Sequence, residues 1–448
     1  MEKKYRPEMR MTRKNVIIIV IDALRTDRLG CYGYKRMLTP NIDEIANKGV
    51  IFENCFSTFN ATDPAFTTIV TGLFPASHRI RNHADRISPE MLQQFNDNSI
   101  PLISEILHKH GYATIGLDWL GRWHKRGYDY YLGEKFDTNI PKATFLTDEA
   151  IAQINNRNTP FFLFIHYWDS HTPYQPPEQI YEKNQLHNGI LKIPKIFDKI
   201  SNVNWKQYLV ESAGSATTAE EVIAAYDSAV QYIDQEIGRL IESLKENNLF
   251  DNTIIIITSD HGESLTEHEI FFDHHGLYDE SIHVPLIFGN LPWQTRKIKD
   301  LVQHPDIVPT VFDLLEIAYE QELIDGKSLV PVLSEGKHNP CLFVISEESW
   351  TEKKIAIRSI EWKYIMARSS EDAICRYCGY VHEGVEELYD LIADPHETLN
   401  CISMHPEIAK TYRDLLAEWE TMMKKRQGQR RIRKKIADMR LKIGHRFQ

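Results

Sequence analysis

The sequence predicts an α/β fold, with a mostly parallel sheet covered by helices on both faces and a smaller antiparallel sheet at the C-terminal end. Three observations predict it. Short β-branched and aromatic runs alternate with helix-length segments over about 300 residues, as in strand–helix–strand units whose crossovers cover both faces of a sheet. Two of those runs lead into aspartates, Asp22 and Asp260, where ligands of such sheets collect. After about residue 340 the strand-like pieces lie only a few residues apart, which suits hairpins.

Residues 14–22 (KNVIIIVID) form a continuous apolar run without alternation, the signature of a strand buried on both faces whose carboxyl end delivers Asp22 to a cleft. Residues 112–118, 161–166 and 253–260 repeat the pattern. Helices are expected at 41–48, 99–110 and 218–246. The last follows a Gly/Ser/Thr cluster and places Val222, Ala225, Tyr226, Ala229, Ile233, Ile237 and Leu240 at helical spacing. Residues 341–346, 354–359 and 361–366 read as short strands. A helix over 406–425 follows, with Ile408, Tyr412, Leu415, Leu416 and Trp419 on one broad face. The chain therefore divides into an α/β unit (13–340), a smaller α+β unit (341–423) and a basic tail (424–448), with no internal repeat.

The 448 residues carry 52 Lys+Arg against 63 Asp+Glu, a net charge of -11, which argues against a general nucleic-acid binder. The tail departs from this balance: 11 basic residues and one acidic lie between Lys424 and Arg446. It reads as a solvated terminal helix, a homo-oligomer contact, or a segment meeting an anionic surface. No apolar stretch approaches the ~18 residues of a membrane span. The first residues, through Lys14, are polar and basic and lead into no signal-peptide core, so a cytoplasmic location is expected. Six scattered cysteines agree with a reducing compartment. Cys375 and Cys378 form a CxxC pair with His382 and Cys401 beyond, but no second CxxC accompanies them, and free thiols near a turn are the reading preferred to a structural zinc.

Three clusters carry chemistry. The densest is Thr258-Ser-Asp260-His261-Gly262-Glu263, followed by Glu267, His268, Asp273, His274, His275 and Gly276. An Asp–His pair at a buried strand end can put carboxylate oxygen and imidazole nitrogen on one metal ion, with Gly262 allowing a sharp turn. The second is Asn60-Ala-Thr62-Asp63-Pro64, where Thr62 reads either as a plain helix cap or as a hydroxyl held near helix N-terminal amides. The third, His166-Tyr-Trp168-Asp169-Ser-His171-Thr-Pro173, offers three proton-transfer or ligand groups at another strand end. Asp169 and His171 look better placed for a cleft than His166, which reads as a packed histidine. Trp119, Arg122, Trp123 and Trp168 lie just after two strand ends and are expected either to line a substrate pocket or to pack around its rim.

Taken in order, Val20-Ile-Asp22 with Arg25, Asp27 and Gly30, Thr39-Pro40-Asn41-Ile-Asp43, Thr71-Gly72, Asp169-Ser-His171-Thr-Pro173, Ser259-Asp260-His261-Gly262-Glu263, His275-Gly276-Leu-Tyr-Asp-Glu280, Val284-Pro285, Gln303-His-Pro-Asp306 and Glu387-Leu-Tyr-Asp-Leu391 resemble the sulfatase-like branch of the alkaline phosphatase superfamily. The resemblance covers about residues 14–400. It implies an alkaline phosphatase/sulfatase-like three-layer sandwich with a mixed central sheet and a small C-terminal antiparallel sheet. It also implies metal-assisted phosphoryl or sulfuryl transfer. By position Asp22, Thr62, Asp260 and His261 resemble the metal-binding set, Thr62 the nucleophile, and His171 and His275 the residues that bind the tetrahedral group or protonate the leaving oxygen.

Two departures bear on substrate. Sulfatases carry Cys or Ser, any residue, Pro, Ser, Arg, and convert the first residue to formylglycine, whereas this chain has Thr62-Asp63-Pro64-Ala65-Phe66. Threonine cannot become that aldehyde. In addition, Ala23 follows Asp22 where many sulfatases have a second Asp. These departures favour a hydrolase of phosphate diesters or phosphonate monoesters. A sulfatase acting without formylglycine, a phosphoethanolamine or phosphoglycerol transferase and a non-catalytic binding protein are the alternatives. Thr62 would attack phosphorus in line and water would release the phosphothreonine. One Zn or Mn ion suits the mixed oxygen and imidazole shell better than Ca, and a second ion on Asp169, His171 and His275 is the alternative arrangement. The expected partner is a small-molecule phosphoester or phosphonate.

Overall fold

A computed structural model describes residues 13–97, 100–133, 140–155, 160–184, 189–339 and 341–444. The run around Ile18 forms β1 (Asn15–Ile21), at the centre of an eight-stranded sheet. Its side chains alternate between two cores, Ile17, Ile19 and Ile21 on one face and Val16, Ile18 and Val20 on the other. Each such β-branched side chain contributes about 1.5–3 kcal/mol by leaving water, so a strand apolar on both faces is stable only in the middle of a layered fold.

The remaining strands are β2 (Val50–Phe56), β3 (Ala113–Leu117), β4 (Tyr130–Tyr131), β5 (Phe161–Tyr167), β6 (Thr253–Thr258), β7 (His283–Gly289) and β8 (Arg296–Gln303), in the order β4-β3-β5-β1-β6-β7-β2-β8. β3, β5, β1 and β6 are the four strands expected from sequence, and they run parallel. β7 is antiparallel to both β6 and β2. The segment from Ser259 to Ile282 contains no crossover helix, so the chain re-enters the sheet from the end at which it left.

Two helices form close to the expected ranges, Pro40–Asn47 and Ala219–Glu246. Thr218 caps the latter by accepting from the Glu221 amide at 3.3 Å. The helix expected from residue 99 begins later, as Ile103–Lys109, because Pro101 disfavours helical geometry before it; residues 98 and 99 lie outside the described residues.

A second sheet, β9 (Val344–Glu347), β10 (Lys354–Arg358), β11 (Trp362–Ala367) and β12 (Glu386–Asp390), is antiparallel in the order β12-β11-β10-β9. Val344, Ala356, Ile365 and Tyr389 pack on Phe56, Ile270, Leu277 and Tyr278 of the larger unit. The buried Lys363 Nζ ties the same interface, donating to the Leu277 carbonyl at 3.0 Å and pairing with Asp279 at 2.6 Å. The final helix, Pro406–Gly444, runs well past the expected end at residue 425; Gly428 is the sole Gly or Pro between residues 407 and 443, and one interior glycine costs only ~1 kcal/mol. Arg426 and Arg430, within the basic tail, pair with the buried Asp325 at 3.2 and 2.6 Å. Among the described residues no helix is long and apolar enough to cross a membrane.

Candidate active site

β5, β1 and β6 are adjacent and parallel, so their carboxyl ends bring three separate stretches of sequence to one place. Asp22 follows β1, Asp260 and His261 follow β6, and His166 sits within β5 with His171 beyond it. The turn after β1 is tightly held. Ala23 adopts a left-handed φ of 56°, donates its amide to Asp260 Oδ1 at 3.2 Å and accepts from Tyr226 Oη at 2.8 Å. At Gly262 a Cβ would lie 1.9 Å from the Glu280 carbonyl oxygen, so close backbone approach, with no need for a positive φ, demands glycine there.

Thr62 is the first residue of the buried helix Thr62–Thr71. Its Oγ1 lies 3.5 Å from His261 Nε2. His261 donates Nδ1–H to the Gly262 carbonyl at 2.8 Å, which fixes the tautomer and leaves a lone pair on Nε2. That nitrogen lies 3.7 Å from Asp22 Oδ1 and 3.4 Å from Asp260 Oδ2, and among the described residues neither oxygen has a hydrogen-bond donor. Burial and the Asp260 carboxylate push Asp22 up to about 7. Two orphaned carboxylate oxygens and an imidazole lone pair within 4.8 Å of one another are the donor set of a divalent cation, which would offset their repulsion. The structure thus brings together Asp22, Thr62, Asp260 and His261.

His166 is more than a packed histidine. It is wholly buried, with Nε2 at 3.0 Å from Asp22 Oδ2 and Nδ1 at 3.3 Å from Asp118 Oδ1, and Tyr131 Oη donates to the other Asp118 oxygen at 2.8 Å. Burial opposes its protonation, but the hydrogen bonds to Asp118 and Asp22 outweigh that and raise it to about 9. The imidazole orients Asp22 so that Oδ1 faces His261.

Asp63, the next residue of the helix, is fully buried. Its carboxylate takes Arg122 at 2.6 Å, His83 at 2.8 Å and the Ala84 amide at 2.8 Å. Burial opposes ionisation, yet His83, His124 and Arg122 hold the group well below the usual carboxylate range. Asp63→Ala would leave these donors uncompensated and is expected to lower stability by about 3–5 kcal/mol, read as a drop in the urea midpoint at neutral pH.

Several sequence expectations are corrected. Asp169 caps a helix: Oδ2 accepts from the Ala143 amide at 3.0 Å and Oδ1 lies 3.6 Å from Lys142 Nζ. His275 directs Nδ1 to Asp273 at 2.8 Å and groups with Cys375 and His382, so Asp169, His171 and His275 do not meet around a second ion. Its neighbour His274 takes the place at the centre, stacked on His261 with ring centroids 4.1 Å apart. Successive residues in extended chain point opposite ways, and in a His–His pair the sequence does not say which one turns inward. His171 lies near the same group, 5.7 Å from His274 between centroids, and stacks on Trp168 at 4.1 Å. Burial, His274 and His261 hold His171 down to about 3, so it is neutral, with Nδ1–H donated to the Thr172 carbonyl.

The expected pocket is also redrawn. Trp123 is a core residue, 5% exposed, whose Nε1 donates to Thr67 Oγ1 at 3.0 Å. Arg122 serves Asp63, and Trp119 packs edge-on against Trp168 at 4.7 Å. The cavity beside His171 and His274, about 160 Å³, is lined instead by His83, Trp205, Tyr208, Trp350 and Tyr377. These come from segments distant in sequence, which no local motif connects.

A family model described as Sulfatase matches residues 14–317, and one described as N-sulphoglucosamine sulphohydrolase, C-terminal, matches residues 266–426. A curated relative, the Delta 4,5-hexuronate-2-O-sulfatase of Bacteroides thetaiotaomicron, is 26% identical over 456 residues, covering 92% of this chain and 90% of that protein. A protein solved in complex with its substrate D-glucosamine-2-N,6-O-disulfate superposes with a TM-score of 0.74 at 21% identity, over 92% of this chain and 99% of that one. The phosphonate monoester hydrolase of Agrobacterium radiobacter gives a TM-score of 0.69 at 19% identity, over 92% and 96%. With the first family model spanning more than half of the sequence, on the mixed sheet and small C-terminal sheet described above, this chain belongs to the sulfatase family, within the alkaline phosphatase-like sulfatase superfamily of hydrolases.

Proposed function

We propose that the chain hydrolyses a sulfate ester through the Thr62 hydroxyl, without formylglycine, at a divalent cation held by Asp22, Asp260 and His261. The observation that carries it is the approach of Thr62 Oγ1 to His261 Nε2 at 3.5 Å, beside two buried carboxylate oxygens that lack donors. Sulfate as the substrate class is supported by the family match and by the 2-O-sulfatase of Bacteroides thetaiotaomicron among its relatives. When bound, a divalent cation supplies positive charge that favours the ionised hydroxyl and an anionic ester. The chain's own residues supply the geometry: His166 fixes Asp22, the Gly262 carbonyl fixes His261, and the helix Thr62–Thr71 holds the nucleophile at its positive end. Thr62 Oγ1 bonds to the central atom as the ester C–O oxygen leaves, the Thr62 proton passing to that oxygen to give the alcohol; water, giving a proton to neutral His171 Nε2, then bonds to the central atom and breaks its bond to Thr62 Oγ1, which takes the proton back from His171.

One observation favours a second reading, hydrolysis of a phosphate diester or phosphonate monoester. Thr62 cannot become an aldehyde, and Phe66 stands where the formylglycine motif has arginine. The two readings separate on four esters of one aryl alcohol: sulfate, phosphate monoester, phosphate diester and phosphonate monoester. The sulfate ester is expected to lead in kcat/KM by about tenfold or more. A lead of that size for diester or phosphonate would replace the first reading with the second.

A further inference from the structure

We propose that His275, Cys375, Cys378 and His382 form a second metal centre, of the Cys2His2 type, which takes zinc or a similarly soft divalent cation and pins the segment between β11 and β12 to the loop carrying His274. It lies outside the Asp22 group and does not depend on the substrate reading.

The His275, Cys375 and His382 donor atoms lie within 4.8 Å of one another, and Cys378 Sγ approaches His382 Nε2 at 3.0 Å. Four ligands around one zinc stand about 3.3–3.8 Å apart, given Zn–N and Zn–S bonds of about 2.0 and 2.3 Å, so the three clustered donors have to close by up to about 1.5 Å and the Cys378 sulfur has to turn from His382 toward their common centre as the fourth ligand. Both cysteines are unpaired and buried.

The histidines supply independent support. His275 gives Nδ1–H to Asp273 Oδ2 at 2.8 Å, and among the described residues its Nε2 has no partner although the residue is only 4% exposed. His382 directs Nδ1 to the His268 carbonyl at 3.2 Å and its Nε2 to the sulfur. A carboxylate or carbonyl on the far ring nitrogen, with the near lone pair aimed at a common point, is how metal-binding imidazoles are held.

The local backbone suits the same role. The Gly379 amide donates to the Cys375 carbonyl at 2.8 Å, the Cys375 amide to the Tyr380 carbonyl at 2.7 Å, and Gly379 takes a left-handed φ of 78°. The result is a compact loop presenting both sulfurs on one side. Two carboxylates flank the donors: Asp273 holds the far nitrogen of His275 at 2.8 Å, and Glu352 Oε1 lies 3.9 Å from His382 Nε2, with Lys354 Nζ bridging Glu352 and Glu387 at 2.9 and 2.8 Å. The donors therefore number two thiolates and two neutral imidazoles, a set that leaves zinc electrically neutral. His275 is adjacent to His274 and Cys375 lies in the C-terminal unit, so an ion here joins the smaller sheet to the active-site loop.

The test uses the full chain carrying Asp260→Asn, which disables the Asp22 centre, reduced and freed of metal. Titration with Co²⁺ is expected to give thiolate-to-cobalt charge-transfer absorption saturating near one equivalent, and Zn²⁺ is expected to bleach it. The band is expected to vanish in Cys375→Ser and in Cys378→Ser. On the chain without either serine change, Zn²⁺ is expected to slow alkylation of Cys375 and Cys378 by about tenfold or more, located by peptide mass spectrometry. That readout stands even if the serine variants do not fold. Absence of the charge-transfer band, or alkylation rates unchanged by Zn²⁺, would overturn the proposal. So would a Cys375–Cys378 disulfide that re-forms in air as fast with zinc as without it.

Discussion

Thr62→Ala is expected to reduce kcat by about 10³-fold or more while leaving the fold intact. The separation of the two effects is what makes the result informative. Thr62 is the first residue of its helix but supplies no side-chain cap, since the N-cap position belongs to Ala61 and no side-chain capping bond is made there. Loss of its hydroxyl therefore costs at most about 1 kcal/mol, visible as a small shift in Tm. A threonine acting only as a structural cap would give the opposite pattern, a lower Tm with activity kept. Thr62→Ser, which retains the hydroxyl and loses only a methyl group, is expected to keep measurable turnover.

Asp260→Asn is expected to lower activity as strongly and, in metal-free protein, to raise stability. Asn retains an oxygen to accept from the Ala23 and His261 amides, which reach Asp260 Oδ1 at 3.2 and 2.9 Å. Its amide can also donate to the Asp22 oxygen that lacks a partner. Relief of one buried unsatisfied acceptor and one like-charge repulsion is worth about 1–3 kcal/mol, measured by urea unfolding of metal-free variant and parent.

The pH dependence follows from the same pair. Burial and Asp260 raise the folded-state pKa of Asp22 from 3.8 to about 7, so between those values the folded chain holds a proton that the unfolded chain has released. Metal-free parent is therefore expected to lose stability as pH rises through that window, and a bound divalent cation to abolish the loss. Asp260→Asn is expected to flatten the slope even without metal. An unchanged slope would mean that the two carboxylates do not interact as described.

Much of this arrangement is legible in sequence because it rests on local patterns. A run apolar on both faces marks the central strand β1, and its last residue announces Asp22. Thr218 with Glu221 marks the start of the long helix, through a capping box that needs only four residues. Asp260 and His261 stand together after β6. What the sequence hides is set by contacts between distant segments. His166 looks like packing until β5 lies beside β1 and carries it to Asp22. The choice between His274 and His275 depends on how one loop is held, by Asn60 on one side and Asp273 on the other. Trp123 and Trp350 show the same limit, one turned into the core by Thr67 and the other brought to the cavity from the C-terminal unit. Asp169 follows a strand as a catalytic carboxylate would, yet the amide of Ala143 claims it for a helix start.

The most direct test of Thr62 as nucleophile is peptide mass analysis of enzyme quenched in acid during turnover of the preferred aryl ester with saturating divalent cation. The expected product is a peptide heavier by one sulfuryl or phosphoryl group, with the added mass on Thr62, accumulating when water attack is slower than the first displacement. Accurate mass then names the transferred group. Unmodified Thr62 in an enzyme that turns over at full rate, and that keeps this rate in Thr62→Ala, would contradict the account.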